Sequence, residues 1–217
     1  MITGKSHLLL STAYFPNIHY FSKILQYEDF LIECHENYCK QSYRNRCKIL
    51  SANGVIPLTI PVSKGNTVKT PIRDAKIDNH YNWQHNHRIA IESAYRSAPF
   101  YEYYIDDIMP FFTGKFTYLL DLNFMILEKI LEIFEINRQA KCTGHFAKSP
   151  GEGVDDFRCR IHPKERFNLP DPSFSPAPYR QVFSEKWGFV PNLSIVDLLF
   201  NTGPDSKMIL EKSAGVK

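Results

Sequence analysis

The sequence lacks several features that identify common classes of protein. Its five cysteines are odd in number and include no Cys-x-x-Cys pair, which argues against both a closed disulfide framework and a zinc ribbon. It has no apolar run near the roughly 18 residues that cross a bilayer, and Leu8-Leu9-Leu10 is too short for the apolar region of a signal peptide. We therefore expect free thiols, no membrane insertion and a cytoplasmic location.

The usual cofactor motifs are missing as well. There is no Gly-x-Gly-x-x-Gly, no Walker-A loop and no Gly-x-Ser-x-Gly elbow, so dinucleotide redox, ATPase and lipase-type chemistry lack sequence support, and no cofactor is indicated. His85 and His87 point to different sides of a helix, which argues against a metal site. The net charge of +3 is small and its charges are interspersed, so we expect no nucleic-acid partner.

What remains is the composition of an ordinary globular protein. With 217 residues, 43% hydrophobic and 14% aromatic, the chain can bury a sizeable core as one domain over residues 1–217. Its patterns divide it into an α/β sheet part with a hairpin (1–75), a helical part (76–137), a long loop or flap (138–181) and a C-terminal strand and helix (182–217). The predicted fold class is α/β, with a largely helical middle and C-terminal part.

The first elements predict a β-loop-α-β unit that begins a mixed sheet. Residues 7–15 have the pattern of a strand, 19–27 that of a short helix and 29–34 that of a second strand, parallel to the first. Ligands of open α/β sheets gather at the carboxyl ends of the strands. Two segments should therefore converge at one site: the loop from Tyr14 to His19 and the segment after Cys34.

Other elements follow from turn and helix signals. Asn53-Gly54 predicts a tight hairpin between residues 47–50 and 55–62. Apolar spacing predicts helices over 82–97 and 116–136. Ser194 and Asp197 predict the capping box of a last helix, with Asp197 in a capping role.

The loop after the first strand is the first candidate site. Pro16 stiffens it, and Asn17 and His19 fall where a helix starts, so its free N–H groups and dipole would favour phosphate or carboxylate. Tyr14 would line this anion site. The alternative is that Tyr14, Phe15 and the aromatic residues after them are core side chains around a tight turn.

Arg44-Asn45-Arg46 is the second candidate. In an extended segment Arg44 and Arg46 point the same way and could grip a phosphate or carboxylate, with Asn45 beside them. Changing either arginine to alanine should then weaken ligand binding without unfolding the protein. The alternative is a solvated basic edge that prevents strand pairing.

Histidines supply the candidates for proton transfer. His87 lies on an apolar helical stripe, where it is either a general acid or base or a core histidine with satisfied hydrogen bonds, and Trp83 or Tyr95 nearby could pack on a sugar or base. His162, aimed by the proline after it, and Lys164 lie in a charged loop that could close over an anion. The alternative is a surface loop with locally paired charges.

Several of these segments together resemble the WbqC-like protein family. The resemblance rests on Tyr14-Phe15-Pro16, Tyr43-Arg44-Asn45-Arg46, Trp83 with His87 and Tyr95, Ile161-His162-Pro163-Lys164, Tyr179-Arg180-Gln181, and Pro191-Asn192-Leu193-Ser194 through Asn201, all in order. One difference is that Ser11-Thr12 stands where the family usually carries Gln-Pro, and His19 where it carries Gly. Asn192 could bind either backbone or ligand.

The resemblance implies a part in bacterial surface-polysaccharide (O-antigen) biosynthesis. We expect a group-transfer enzyme that acts on an activated sugar or acyl precursor, with His87 or His162 moving the proton and Lys164 stabilising charge. The ligand would be an anionic small molecule such as a nucleotide-sugar, and the partner a second copy or another biosynthetic protein. The alternative is a non-catalytic binding or assembly module. A looser likeness of the first unit to nucleotidylyltransferases favours an α/β sheet.

Overall fold

The strands and helices follow the predicted order with different boundaries. A computed structural model describes residues 7–63, 69–164, 167 and 169–215. Its strands are β1 (His7–Ser11), β2 (Phe30–Glu33), β3 (Arg46–Ser51), β4 (Gly54–Thr59), β5 (Lys141–Cys142) and β6 (Val154–Asp156). Its helices are α1 (Ile18–Gln26), α2 (Trp83–Tyr95), α3 (Tyr101–Ile108), α4 (Pro110–Thr113), α5 (Leu119–Ile133), α6 (Ser184–Trp187), α7 (Ile195–Thr202) and α8 (Ser206–Ser213).

The first unit is β-loop-α-β, and its two strands are parallel as predicted. Leu8 pairs with Phe30 and Ser11 with Glu33. Leu8, Leu9 and Leu10 are all buried, as expected of a parallel strand covered on both faces. β1 ends at Ser11, before the predicted boundary, and the turn that leads to α1 contains Phe15 with a positive φ of 37°.

The sheet has two strands that the sequence pattern did not predict. β5 and β6 lie inside the segment predicted as a long loop, and they complete a four-stranded parallel sheet of order β5-β2-β1-β6. Strands of two and three residues are too short to show an alternating pattern, which explains why they were missed. Residues 165, 166 and 168 of the predicted flap lie outside the described residues.

The prediction that all cysteines are free was wrong for two of them. Cys34 follows β2 and Cys142 ends the neighbouring β5, and a disulfide joins them across 108 residues of sequence. No local spacing could reveal this pair, because only the pairing of β2 with β5 brings the two together. Cys39, Cys47 and Cys159 are free.

The hairpin forms where Asn53-Gly54 predicts it. β3 and β4 pair antiparallel from Arg46 with Thr59 to Ser51 with Gly54, and Gly54 has the positive φ of 102° that the turn requires. The parallel and antiparallel pairs therefore occupy two separate sheets. The α/β class is confirmed.

Helices form the rest of the core. α2 buries Trp83, His87 and Ile91, and α5 buries a wide apolar stripe, as its spacing predicts. Both helices are shorter than the predicted ranges. Among the described residues, every helix is too short or too polar to span a bilayer.

The C-terminal part differs from its prediction in two ways. The strand expected after residue 182 is absent from the described segment 182–215, where the pairing of Asn17 with Ser194 is an isolated β-bridge. The capping box is also wrong, because the Ser194 hydroxyl donates to the Phe15 carbonyl and makes no cap bond. The Asp197 carboxylate turns instead toward two tyrosines.

Candidate functional site

The strand order places a crevice beside the carboxyl end of β1. β1 has β2 on one side and β6 on the other, so the chain leaves the first strand in one direction and returns on the opposite side. Such a switch point separates the loops that follow the two neighbouring strands, and open α/β sheets bind ligands there. The loops after β1 and β6 meet at this point.

A small cavity occupies this switch point. It holds about 20 Å³, room for one water-sized group. Its walls come from the loop after β1, the start of α1, the segment before β3 and the segment after β6: Ser11, Thr12, Ala13, Asn17, Tyr20, Tyr43, Arg44, Phe157, Arg158 and Ile161. The predicted convergence of the Tyr14 loop with the segment after Cys34 is present, since Tyr14 N–H donates to the Tyr43 carbonyl at 2.9 Å.

Arg44 forms one wall and is held by Glu36. Its Nε donates to Glu36 Oε1 at 2.7 Å, and Nη2 donates to Glu36 Oε2 at 2.5 Å and to Ser11 Oγ at 2.7 Å. Burial lowers the pKa of Arg44, but the hydrogen bonds and charge of Glu36 raise it overall. Within the described residues Nη1 makes no hydrogen bond, so two of the five guanidinium N–H groups remain for another partner.

Arg158 forms the facing wall. It comes just after β6, where Nε and Nη2 bind Asp156 at 3.0 and 2.7 Å and Nη1 binds Glu33 Oε2 at 3.0 Å. Burial raises the pKa of Asp156, but hydrogen bonds from Arg158 bring it below its ordinary value. The charged run around residues 155–164 indicated this region, but no sequence signal singled out Arg158, because its place depends on the unpredicted β6.

Asn17 contributes an unpartnered amide. Its Oδ1 caps α1 by accepting the Tyr20 N–H at 3.1 Å, while its Nδ2 is buried and makes no hydrogen bond among the described residues. The amide lowers the pKa of Tyr43, which burial raises to about 12, so it lies close to that hydroxyl without the geometry of a hydrogen bond. The residue is only 3% exposed, which makes the missing partner costly.

The first turn of α1 does not offer the free N–H groups that the sequence led us to expect. Ile18 N–H donates to the Leu193 carbonyl, His19 N–H to Asn192 Oδ1 and Tyr20 N–H to Asn17 Oδ1. Asn192 therefore binds backbone, one of the two roles left open for it. The donors that face the cavity are side chains.

His19 lies outside the cavity wall. Its Nε2 contacts Asp171 Oδ2 at 2.8 Å and its ring stacks on Phe174 with centroids 4.1 Å apart. Burial lowers the pKa of His19, against the opposing effect of Asp171. Lys23 is also buried and forms an ion pair with Asp171. These contacts hold α1 against residues 171–174.

Tyr14 and His87 bind each other in the core. The Tyr14 hydroxyl and His87 Nδ1 are 2.9 Å apart, and the Trp83 ring contacts both side chains. Burial lowers the pKa of His87 to about 4, against a hydrogen bond with the Thr59 backbone, so the ring is neutral at pH 7. Tyr14, Trp83 and His87 are not among the described residues that line the cavity.

Tyr95 belongs to another buried cluster, centred on Asp197. The Tyr95 hydroxyl donates to Asp197 Oδ2 at 2.8 Å, and Tyr179 and Gln181 donate to Oδ1 at 2.6 and 3.1 Å. Asp197 is 1% exposed, and burial raises its pKa from 3.8 to about 6, although the three hydrogen bonds limit the rise. Tyr95 is therefore engaged with protein and unavailable for stacking on a ligand.

The remaining predicted residues lie beside or behind the cavity. His162 and Lys164 follow the wall residue Ile161; His162 Nδ1 accepts the Lys164 N–H at 3.0 Å, and Lys164 Nζ donates to Gln41 Oε1 at 2.5 Å. Asn45 Nδ2 donates to the Ile60 carbonyl at 2.8 Å. Arg46 Nε is buried without a hydrogen bond among the described residues, and Arg46 does not line the cavity.

Two wider clefts lie elsewhere on the surface. One, of about 420 Å³, runs from Asn79 to Gln84 and from Gly114 to Thr117, and the other, of about 320 Å³, lies beside Arg180 and Asn201. Neither has a buried, unpartnered side-chain atom among its described residues. The described ranges contain no group of three or more His, Cys, Asp or Glu side chains that could bind a metal ion.

Comparison with known proteins assigns the chain to a family. Its sequence matches the profile of the WbqC-like protein family over residues 12–159 and 164–209. The chain belongs to the WbqC-like protein family. The first matched stretch of this WbqC-like chain contains the cavity residues Asn17, Arg44 and Arg158.

One curated relative of this WbqC-like chain comes from Mycobacterium tuberculosis (strain ATCC 25618 / H37Rv). It is named "Uncharacterized protein Rv1507c" and is 26% identical over 223 residues, which cover 93% of this chain and 96% of the relative. No solved structure matches the chain significantly. The likeness of the first unit to nucleotidylyltransferases stays a prediction.

Proposed function

We propose that this WbqC-like protein is a group-transfer enzyme of bacterial surface-polysaccharide (O-antigen) biosynthesis. Its substrate would be an activated sugar or acyl precursor, such as a nucleotide-sugar. Family membership supports the assignment to such a pathway, and the switch-point cavity supports ligand binding. The pathway and the reaction are the parts of this proposal that need testing.

The observation that carries the proposal is the pair of unused donors at the switch point. Asn17 Nδ2 and Arg44 Nη1 have no hydrogen-bond partner among the described residues, yet both residues are buried and line the same cavity. Asn17 Nδ2 is a buried donor without a partner, which costs about 1–3 kcal/mol, and native proteins keep few such groups without a functional reason. A bound substrate would supply the acceptors.

The residues beside the cavity suit the transfer step. In this proposal His162, whose Nδ1 accepts the Lys164 N–H at 3.0 Å, moves the proton to the leaving group. Lys164 would stabilise negative charge that develops there. In this proposal Arg44 and Asn17 bind the substrate and Arg158 positions the wall through Glu33. His87 has no part in it, because its ring is buried against Tyr14.

Binding is tested first by a thermal-shift screen of nucleotides, nucleotide-sugars and acyl donors. A ligand present at a hundredfold its dissociation constant stabilises the folded state by about 2.7 kcal/mol. Each compound that binds is then incubated with candidate acceptor sugars, and product is measured by mass spectrometry. Turnover of a bound donor is the expected result, and binding without turnover under any acceptor would contradict catalysis.

The role of His162 can be separated from its place in the loop. His162→Asn keeps an acceptor for the Lys164 N–H but removes the titrating ring, so it should lower kcat at least tenfold with little change in KM. His80→Asn is the matched control, since His80 is exposed and pairs only with Asp78 among the described residues. Equal kcat values for the two variants would remove His162 from the mechanism.

A second candidate function is a non-catalytic nucleotide-sugar-binding or assembly module of the same pathway. It is favoured by the carboxylates nearest the cavity, because Glu33, Glu36 and Asp156 are all ion-paired and none is available as a base. Such a module would bind the same ligands without turnover. It would act as a homo-oligomer or in a complex with another biosynthetic protein. The turnover assay distinguishes the two functions.

The proposed place of action is the cytoplasm. The Cys34–Cys142 disulfide is atypical of cytosolic proteins, so the location needs a direct measurement. Fractionation of the cells that produce the protein, followed by thiol labelling of the purified chain, tests both points. Recovery outside the cytoplasm with the disulfide intact would contradict this part of the proposal.

A further inference from the structure

We infer that the switch-point cavity binds one carbonyl or carboxylate group, the acyl end of a substrate, and that phosphates lie outside it. The inference rests on the proposed function in one respect, because it names the part of an activated precursor that would enter the site. The binding chemistry itself follows from the cavity walls.

The unused groups in these walls are donors. Asn17 Nδ2 carries two N–H groups and Arg44 Nη1 two more, and none of them is bonded within the described residues. The Thr12 and Tyr43 hydroxyls, which also line the cavity, can donate as well. The lining therefore calls for a ligand rich in acceptors, which a carbonyl or carboxylate oxygen satisfies.

The charge around the cavity disfavours a phosphate dianion more than a single carboxylate, and disfavours a neutral carbonyl least. Arg44 and Arg158 form its walls, but behind them Glu36 pairs with Arg44, and Glu33 and Asp156 pair with Arg158. Two guanidinium groups and three carboxylates leave no excess of positive charge. Because these five groups sum to one negative charge, a neutral carbonyl adds no further charge, a single carboxylate adds one and a phosphate dianion adds two just in front of the carboxylates.

The size of the cavity agrees with its charge. Room of about 20 Å³ accepts one water-sized group, and typical cavities for whole small molecules hold roughly 300–1,000 Å³. A planar carboxylate or acyl carbonyl can place its oxygen there with the remainder of the molecule outside. A tetrahedral phosphate with four oxygens exceeds that space.

The test measures binding of four simple probes by ligand-observed NMR titration. Acetate carries a carboxylate and acetamide a neutral carbonyl, and inorganic phosphate and methyl phosphate represent the excluded class. Acetate, acetamide or both should bind at least tenfold more tightly than either phosphate. Tighter binding of the phosphates would overturn the inference.

Asn17→Asp and Asn192→Asp form a matched pair of variants. Each keeps the oxygen that accepts a first-turn N–H of α1, and each adds one negative charge at the same helix end, but only Asn17 lines the cavity. Asn17→Asp should weaken acetamide binding at least tenfold, and Asn192→Asp should leave it within twofold of the unmodified protein. Equal effects of the two changes would place the probe elsewhere and overturn the inference.

Arg44→Lys supplies a second test that keeps the charge opposite Glu36. It removes the Nη1 donors, so it should weaken acetate and acetamide binding at least tenfold, and unchanged binding would contradict the role of Nη1. If no probe binds the unmodified protein, the cavity holds only water and the inference fails. That failure is distinct from failure of the proposed function, because transfer can still be detected in the turnover assay.

Discussion

Two buried polar clusters of this chain differ in whether their hydrogen-bonding groups all have partners among the described residues. In the Asp197 cluster both carboxylate oxygens accept hydrogen bonds: Tyr95 donates to Oδ2, and Tyr179 and Gln181 donate to Oδ1. In the switch-point cavity, Asn17 Nδ2 and Arg44 Nη1 remain without acceptors. The first cluster needs nothing from outside the chain, whereas the second needs a ligand or water.

The comparison predicts the largest loss of stability for Arg44→Ala. The substitution leaves Glu36 buried without its partner, and breaking a buried ion pair in this way costs about 3–5 kcal/mol. Urea denaturation should show this decrease in the free energy of unfolding. The expectation from sequence, that Arg44→Ala would weaken binding without affecting folding, is therefore replaced.

Arg88→Ala is the control for that measurement. Arg88 pairs with Glu92 on the surface of α2, and exposed pairs of this kind contribute about 0.3–0.5 kcal/mol. A loss for Arg44→Ala as small as that for Arg88→Ala would show that the Glu36 pair is not part of the folded core.

The Asp197 cluster should make stability depend on pH. Since the pKa of Asp197 rises from 3.8 to about 6 on folding, the folded state binds the proton more tightly, and this contribution is complete below pH 3.8 and lost as pH rises through 6. Its magnitude is about 3 kcal/mol. Asp171 and His87 act in the opposite direction, because their pKa values fall on folding.

Asp197→Asn isolates that contribution from the other groups. The difference in the free energy of unfolding between the unmodified protein and the variant should change by about 3 kcal/mol from pH 3.5 to pH 7, in favour of the variant at the higher pH. Urea denaturation at several pH values provides the measurement. A constant difference across this range would mean that Asp197 keeps an ordinary pKa.

Tyr14→Phe should have a smaller effect on folding and little on ligand binding. It removes the hydroxyl partner of His87 Nδ1 and leaves that nitrogen buried without its hydrogen bond, which costs about 1–2 kcal/mol. Thermal unfolding gives the stability, and the acetamide titration gives the binding. Binding that weakens tenfold while stability is retained would move Tyr14 into the ligand site.

Lys164→Ala should have the smallest effect on stability. Its side chain reaches Gln41 at the surface, so the free energy of unfolding should change by less than about 0.5 kcal/mol, while turnover falls at least tenfold. Lys186→Ala is the matched control, because Lys186 also donates to an exposed loop oxygen, that of Ala52. Equal turnover in the two variants would remove Lys164 from the proposed mechanism.

Local sequence patterns predicted the elements that have strong periodicity or a defined turn. The run Leu8-Leu9-Leu10, the Asn53-Gly54 turn and the apolar stripe of α5 each determine a local structure. The short β5 and β6 have no such pattern, and their places depend on pairing with β2 and β1. The disulfide was missed for the same reason.

The candidate site was predicted in part, for a similar physical reason. Asn17 and Arg44 follow predicted strands, so their place at the carboxyl edge could be inferred. Arg158 could not be placed, because it follows the unpredicted β6. Asp197 was misassigned because its spacing from Ser194 fits a cap, while the tyrosines that bind it lie far away in sequence.

The most direct test of the central claim is a ¹⁵N-resolved NMR titration that follows the side-chain amide signals of Asn17 and Asn192 as acetamide is added. The account predicts that the Asn17 NH₂ signals shift with saturation, because Nδ2 gains an acceptor in the cavity, while those of Asn192 stay in place. Unchanged Asn17 signals at saturating acetamide would contradict the assignment of the switch-point cavity as the ligand site.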